Sequence, residues 1–408
     1  MASGPGRDSF VTGQTLAGKE IVLGVTGSIA AVEMVKLIHA LRRKGAGVQP
    51  VMTEAAQGII HPDALTYASG RQTITRLSGL VEHVIWCGDG GNASLLVIAP
   101  CTANTLGKVA YGIDDTPVTT FASTAIGSGM PVLIVPAMHH SMYRHPAIGE
   151  NIRKLESWGV SVVPPRIEEG KAKIADIDEI VLRCERAVLG KPLAGKKVLV
   201  TSGACREPVD DVRVLTTRSS GRMGQELARE AFRLGAEVTV IHRDTVPCVN
   251  NIHIETAEDM RDAVNGYLEK ESPDLYIGAA AVSDFSPQKQ EGKIPSGKPA
   301  KIDLVPLPKI IDDFLQHTRT RIVAFKIARN PVPEAQALLA RGAWMVVANT
   351  PETMGSATGV YSVITQPDTP GMPVSGTKEE IATRIWELIL DGIREGRGSQ
   401  PAKTPKRS

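Results

Sequence analysis

Aromatic side chains are scarce in this chain. Phe, Trp and Tyr make up only 4% of its 408 residues, which fits neither a β-sandwich nor a coiled coil and favours a parallel α/β core filled by Val, Ile, Ala and Gly. Cysteine is scarce as well. The five present are Cys87, Cys101, Cys184, Cys205 and Cys248. An odd number without CxxC spacing argues against a disulfide framework or a zinc site and fits a reducing compartment. Charge of one sign is missing too: 46 basic residues face 44 acidic ones, without a long basic stripe, so no nucleic-acid footprint is expected. The N-terminus has no apolar signal core, and no uncharged apolar run approaches membrane-spanning length. A soluble, cytoplasmic protein that handles small molecules and has no membrane partner is expected.

What is present is a chain that begins twice. "GKEIVLGVTGS" (Gly18 to Ser28) is echoed by "GKKVLVTSGA" (Gly195 to Ala204). Each reads as a turn feeding a buried parallel strand that ends on Thr, Ser and Gly, as a strand delivering a phosphate loop does. The fold class expected is therefore α/β, with two Rossmann-like doubly wound parallel-sheet domains in tandem, over 18–189 and 190–393. Residues 1–17 and the basic tail 394–408 lack periodicity and are expected to be disordered. In the first half, strands are expected at 21–25, 95–100, 131–138 and near 159–165. The first helix carries Ile29, Val32, Val35, Leu37, Ile38 and Leu41 at helical spacing. In the second half, strands are expected at 197–201, 237–241, 275–279, 322–325 and 344–347, with amphipathic helices between them.

In the first half, "GVTGSIAA" can cradle a phosphate with Gly24, Gly27 and the Ser28 hydroxyl. A tight turn without a ligand would look the same. Two more polar loops, "MTEAAQ" and "APCTANTLGKVAYGIDDT", follow later strands, and three such loops converge in a doubly wound sheet.

Over about Gly18 to Ala187, through "GVTGSIAA", "MTEAA", His83, "APCTANTLGKVAYGIDD" and "PAMHHSMY", the chain resembles the phosphopantothenoylcysteine decarboxylases. These share a fold with flavin prenyltransferases and lantibiotic-type cysteine decarboxylases. The resemblance implies FMN held by Gly27, Ser28, Thr53, Thr102 and Asn104, a catalytic base at His83, and a substrate clamp containing Met138, His139 and Met142. FMN would solve a definite problem, because a carboxylate beside an unactivated carbon has nowhere to leave its electrons as CO2 departs. Removing a hydride equivalent from the cysteine Cβ creates a thioaldehyde that accepts them. Imidazole suits the base role because it titrates near neutral pH; a packed structural histidine is the plain alternative. Two departures stand out. His139 replaces the Asn that follows "PAM" in the best-known motif, and the flap "PPRIEEGKAKIAD" lacks the cysteine that protonates the ene-thiol in bacterial members, leaving Lys171 and Lys173 as candidates.

In the second half, "TSGACREPVDDVRVLTTRSSGRMG" leads from a strand through a long Arg-bearing loop to two serines and two glycines. Ser219 or Ser220 is expected to cap a helix whose apolar face is Met223, Leu227, Ala231 and Leu234. This stretch, with "GAAAVSDF", "EGKI", "VAFKIARN" and "VVANT", resembles the phosphopantothenate-cysteine ligases over about 195–390. The resemblance implies CTP with Mg2+, whose metal ligands stay unknown. By that resemblance Ser219, Ser220 and Gly221 would cradle phosphate, Asp284 would meet the cytosine or ribose region, Phe325 would line the base pocket, Asn349 would bind substrate and Lys293 would meet the phosphates. Asp284 as a helix cap, Phe325 as core and Lys293 as a solvated charge are the plain readings. Thr217 stands where the family has an Asn that polarises the acyl-nucleotide carbonyl; a hydroxyl donates one hydrogen bond with less reach.

Together the likenesses imply a bifunctional enzyme of coenzyme A synthesis. It would join cysteine to 4′-phosphopantothenate with CTP, then decarboxylate the product to 4′-phosphopantetheine, as a homo-oligomer. Two rivals stay open: an active ligase whose flavin half no longer decarboxylates, and a non-catalytic FMN- and nucleotide-binding regulator.

Overall fold

The computed structural model describes residues 13–396 except 169–170, 298, 316–319 and 368. The chain divides into two compact units after Leu189. The tail beyond 396 and the first twelve residues lie outside the described residues.

The first unit is built on a five-stranded sheet in the order Gly47–Met52, Glu20–Val25, Leu95–Cys101, Val132–Pro136, Ser161–Val162, all parallel. Alternation along each strand gives the sheet two apolar faces. Ile21, Leu23 and Val25 pack with Met34, Leu37, Leu41, Ile180 and Cys184 on one side. Val22, Leu96 and Ile98 pack with Leu106, Val118, Phe121 and Leu155 on the other. The strand Leu95–Cys101 is buried at every position, as a strand covered on both faces must be.

Two expectations need correction here. Ile29 and Val32 are 78% and 46% exposed because Ile29–Glu33 is a 3-10 turn rather than α-helix. With three residues per turn, positions 29 and 32 eclipse on one outward face, and the buried stripe begins at Met34 on the α-helix Met34–Arg43. Leu16, placed by its sequence context in a loose end, is fully buried, and its N–H donates to the Lys44 carbonyl at 2.8 Å.

The second unit carries an eight-stranded sheet. Its order is Asn250–His253, Glu237–His242, Lys197–Thr201, Leu275–Gly278, Arg321–Ile327, Met345–Asn349, Thr358–Ile364, Met372–Thr377. The first six run parallel and the last two extend the edge antiparallel. All five expected strands are present; the additional three lie toward the edges and have polar or half-exposed patterns. The helix Arg222–Arg233 buries Leu227 and Ala231, and Trp386 of the helix Lys378–Arg394 donates its indole N–H to the Leu227 carbonyl at 2.9 Å. Both sheets reverse strand order beside the first strand of their unit, and the crevice outside such a reversal is where doubly wound folds take ligands.

Candidate functional sites

In the first unit the loops that follow the strands are tied to one another. Thr26 donates its hydroxyl to the Pro100 carbonyl at 2.6 Å and accepts from the Thr102 N–H at 3.0 Å. Gly27 lies so close to the next loop that a Cβ there would come within 2.7 Å of the Ala55 Cβ. The Ala137 N–H donates to the Cys101 carbonyl at 3.0 Å, and Met138–His139 pairs antiparallel with the flap strand Lys171–Lys173. The structure thus brings Gly27, Ser28, Thr53, Thr102, Met138 and His139 into one set of connected loops. Thr53 and Thr102 each accept from a backbone N–H at the start of the following helix, from Ala56 and Thr105 at 3.3 Å. Ser28 caps nothing with its side chain, and Asn104 and Met142 are exposed, so these groups remain available to a ligand. Burial pushes the Cys101 thiol up, which makes it a packing group rather than a nucleophile.

His83 stands apart from that network. It lies on the short helix Glu82–Cys87, whose entry residue Val81 has φ 49°, a strained conformation for a β-branched side chain. The turn is braced by Glu82, which accepts from the Ser78 hydroxyl and N–H; these bonds hold its carboxylate below the usual range. The Nδ1 of His83 is buried and unpartnered, as is that of His140. Of the two flap lysines, Lys173 pairs with Glu168 at 3.0 Å, while Lys171 is exposed and sits in register with His139.

In the second unit the strand ends open into a cleft of about 390 Å³. Thr217, Ser219, Ser220, Gly221, Asp284, Phe325 and Asn349 all line it. Lys293 does not. It is exposed on a loop whose Gly292 and Ile294 N–H groups donate to Asp211 and Asp210, away from the cleft lining. Neither serine caps the helix: the N-cap is Gly221 at φ 70°. Ser202 donates to the Gly221 carbonyl at 2.9 Å, and a Cβ on Gly221 would meet the Gly203 Cα at 2.9 Å. Two chain turns pass too closely there for any side chain, so the cap is a glycine of left-handed conformation. Met223 is half-buried and lines the cleft instead of joining the core. Thr217 donates its hydroxyl to the Ala281 carbonyl across a long 3.4 Å. Asp284 is exposed and precedes the strand Phe285–Pro287 rather than a helix, and Phe325 is half-buried on the strand Arg321–Ile327.

Two acids of the Arg-bearing loop turn out to be braces, a role their sequence context did not reveal. Glu207 is buried and accepts from the Ala257 N–H at 2.8 Å and the Ser286 hydroxyl at 3.2 Å. Asp210 accepts from the N–H groups of Ile294, Val212 and Arg213 at 3.0, 2.8 and 2.6 Å and from the Arg213 guanidinium. The Ile294 N–H leads these donors in holding the Asp210 carboxyl well below its usual range. A depressed carboxyl contributes stability that is complete above its unfolded value, about pH 4, and is lost only as pH falls through the lower folded value. Asp210→Asn is therefore expected to free the segment carrying Lys293 at neutral pH. Hydrogen exchange at the Ile294 amide should rise in the variant, whereas in the wild type it should hold down to about pH 4.

Both halves match known families. Residues 10–188 match the model described as Flavoprotein, and 193–393 that of the DNA/pantothenate metabolism flavoprotein C-terminal domain. A protein of Thermococcus kodakarensis, the coenzyme A biosynthesis bifunctional protein CoaBC, is 45% identical over 92% of this chain and 95% of its own. The proteins so described from Methanocaldococcus jannaschii and Escherichia coli are each 32% identical, over 92% and 78% of this chain and 94% and 82% of their own. Among solved structures, the C-terminal domain of a CoaBC aligns with 50% of this chain and all of its own at 28% identity, with a TM-score of 0.41. SpaF, described as an FMN-dependent cysteine decarboxylase, aligns with 43% of this chain and 99% of its own at 29% identity, with a TM-score of 0.38.

The fold and sites thus define a flavoprotein domain followed by a pantothenate-metabolism ligase domain. The chain belongs to the family of coenzyme A biosynthesis bifunctional proteins, CoaBC. It is a bifunctional enzyme, a phosphopantothenoylcysteine decarboxylase and a phosphopantothenate-cysteine ligase on one chain.

Proposed function

We propose that the second unit activates 4′-phosphopantothenate with CTP and joins it to cysteine, and that the first unit decarboxylates the product with FMN. The observation that carries the ligase assignment is the cleft, where Thr217, the Ser219–Gly221 turn, Asp284, Phe325 and Asn349 meet from separate segments. A carboxylate becomes reactive when its oxygen attacks the α-phosphorus of CTP and pyrophosphate leaves. The cysteine amine then attacks the acyl carbon, the C–N bond forms, and CMP departs with the carbonyl electrons restored. The Gly221 turn supplies backbone N–H groups for phosphate, and Mg2+ enters with the nucleotide as part of that substrate. Lys293 joins the phosphates when its loop moves to the cleft.

Thr217 serves the second half-reaction, replacing the family's amide as donor to the developing oxyanion. Rotating its hydroxyl away from the Ala281 carbonyl costs little, because that bond is long. Thr217→Val is expected to accumulate acyl-cytidylate in quench experiments, with turnover about 10²-fold slower. Thr217→Asn should retain or improve turnover. Near-wild-type kinetics in both variants would make position 217 a bystander.

In the first unit, FMN fits the loops gathered by Thr26 and Gly27. The Ser28 side chain makes no cap bond and Asn104 is exposed there. Bound there, FMN supplies a two-electron acceptor that makes loss of CO2 possible. His83, with its unpartnered Nδ1, takes the thiol proton. Met138, His139 and Met142 hold the substrate, and Lys171, opposite His139, returns the last proton.

Apolar side chains left exposed support homo-oligomerisation through both units. Leu80, Val84 and Ile85 surround His83, and Val212, Val214, Phe285 and Leu304 project from the two small hairpins of the ligase unit. A cytoplasmic location accords with the buried thiols of Cys87, Cys101, Cys184 and Cys205, which form no disulfide.

A further inference from the structure

Lys378 is 7% exposed and lines the ligase cleft. Its ammonium donates to the Tyr361 hydroxyl and, at 3.3 Å, to the Thr353 carbonyl, and it lies 4.7 Å from the centre of the Tyr361 ring. No carboxylate pairs with it among the described residues. The position is doubly unfavourable for a cation. Burial without a counter-ion is costly, and Lys378 is the first residue of the helix Lys378–Arg394, where the macrodipole repels positive charge. A cation held there against both effects is set for an anion that arrives in the cleft.

The same corner holds an orphan acceptor. Asn349 is 5% exposed; its amide nitrogen donates to the Thr353 hydroxyl at 2.6 Å, and its Oδ1 is buried without a partner. An unsatisfied carbonyl oxygen repels phosphate and seeks an N–H or O–H donor. A fixed cation beside a fixed acceptor matches the carboxylate and amino ends of an amino acid. The corner also adjoins the acyl-transfer region, because Gly355, two residues beyond Thr353, approaches the Arg218 carbonyl, from which a Cβ would stand 3.8 Å away. Arg218 follows Thr217 directly. The nucleotide phosphates have other provision in the Gly221 turn and in Arg222 and Lys309, exposed cations that also line the cleft.

We infer that Lys378, seated on Tyr361 and Thr353, binds the α-carboxylate of the incoming cysteine while Asn349 Oδ1 receives its amino group. The half-buried Met354 beside them is placed to contact the CH2–SH side chain. The inference rests on the ligase reading of the cleft and adds the subsite for its amino-acid substrate.

Cysteamine, which is cysteine without the carboxylate, gives the test. In the wild type, kcat/KM for cysteine should exceed that for cysteamine, and in Lys378→Met this preference should fall about 10- to 100-fold, the range of one charge-assisted hydrogen bond. The fall should lie in KM for cysteine. Pyrophosphate exchange into CTP, measured without any amine, reports on activation alone and should show the cleft intact. Tyr361→Phe, which removes one oxygen holding the ammonium, should lower the same preference by a smaller factor, and Lys378→Arg should restore part of it. An unchanged preference, with pyrophosphate exchange reduced in parallel, would overturn the assignment and make Lys378 a phosphate clamp. Loss of folded protein in Lys378→Met moves the decision to Tyr361→Phe and Lys378→Arg, where an unchanged preference in both would equally overturn it. A wild type that consumes no CTP with phosphopantothenate present would instead sink the ligase reading on which the subsite rests.

Discussion

Replacing His83 by asparagine is expected to leave a folded, yellow protein that ligates cysteine at the wild-type rate and has lost decarboxylation. The side chain makes no hydrogen bond through its buried Nδ1, and its helix is braced by Ser78 and Glu82, so the substitution removes no structural bond. What it removes is the imidazole proposed as the base. Loss of a positioned general base costs about 10²- to 10⁴-fold, well within reach of an assay of CO2 release. Ligation should be untouched, because the cleft belongs to the other compact unit. If both activities fall together and flavin is lost, His83 is a packing residue and the plain reading of its sequence context is the right one.

Gly221→Ala is expected to have the converse effect, a ligase reduced by 10²-fold or more with decarboxylation retained. Two costs combine at this position. A left-handed conformation costs an alanine about 1–2 kcal/mol, and its Cβ would stand 2.9 Å from the Gly203 Cα, a backbone atom that cannot swing aside. The turn must open, and with it the N–H groups that would face phosphate. Gly266→Ala is the matching control. Gly266 sits inside the helix Ala257–Leu268 with nothing within 4 Å of an added Cβ, so this change should stabilise by about 0.5–1 kcal/mol and leave both activities intact. Initial rates with each substrate, beside thermal melts of both variants, decide the matter.

Much of this molecule is legible in its sequence, and what is not has physical reasons. The strands Glu20–Val25, Leu95–Cys101 and Lys197–Thr201 announce themselves as continuous apolar runs, since a strand covered on both faces has no polar side. The edge strand Asn250–His253 carries no such run. Ile29 and Val32 mislead because a 3-10 turn and an α-helix share their first few apolar spacings. At the sites, glycines and short polar residues mark the loops, yet the tie that gathers them in the first unit comes from Thr26, one residue before Gly27. Glu207 and Asp210 sit in a matched stretch, but the partners that tie them to other segments, Ala257, Ser286 and Ile294, are 50 to 84 residues away, beyond any local pattern. Lys378 leaves a faint trace: a lysine ahead of two glutamates in the first turn of a helix, where the macrodipole favours the glutamates alone.

The measurement that bears most directly on the bifunctional assignment is a single incubation. Purified protein with bound flavin is given 4′-phosphopantothenate, cysteine and Mg2+–CTP, and the products are weighed by mass spectrometry over time. The expected result is transient 4′-phosphopantothenoylcysteine followed by 4′-phosphopantetheine, with one CMP, one pyrophosphate and one CO2 for each molecule formed. Accumulation that stops at 4′-phosphopantothenoylcysteine, in protein that remains yellow, would contradict it.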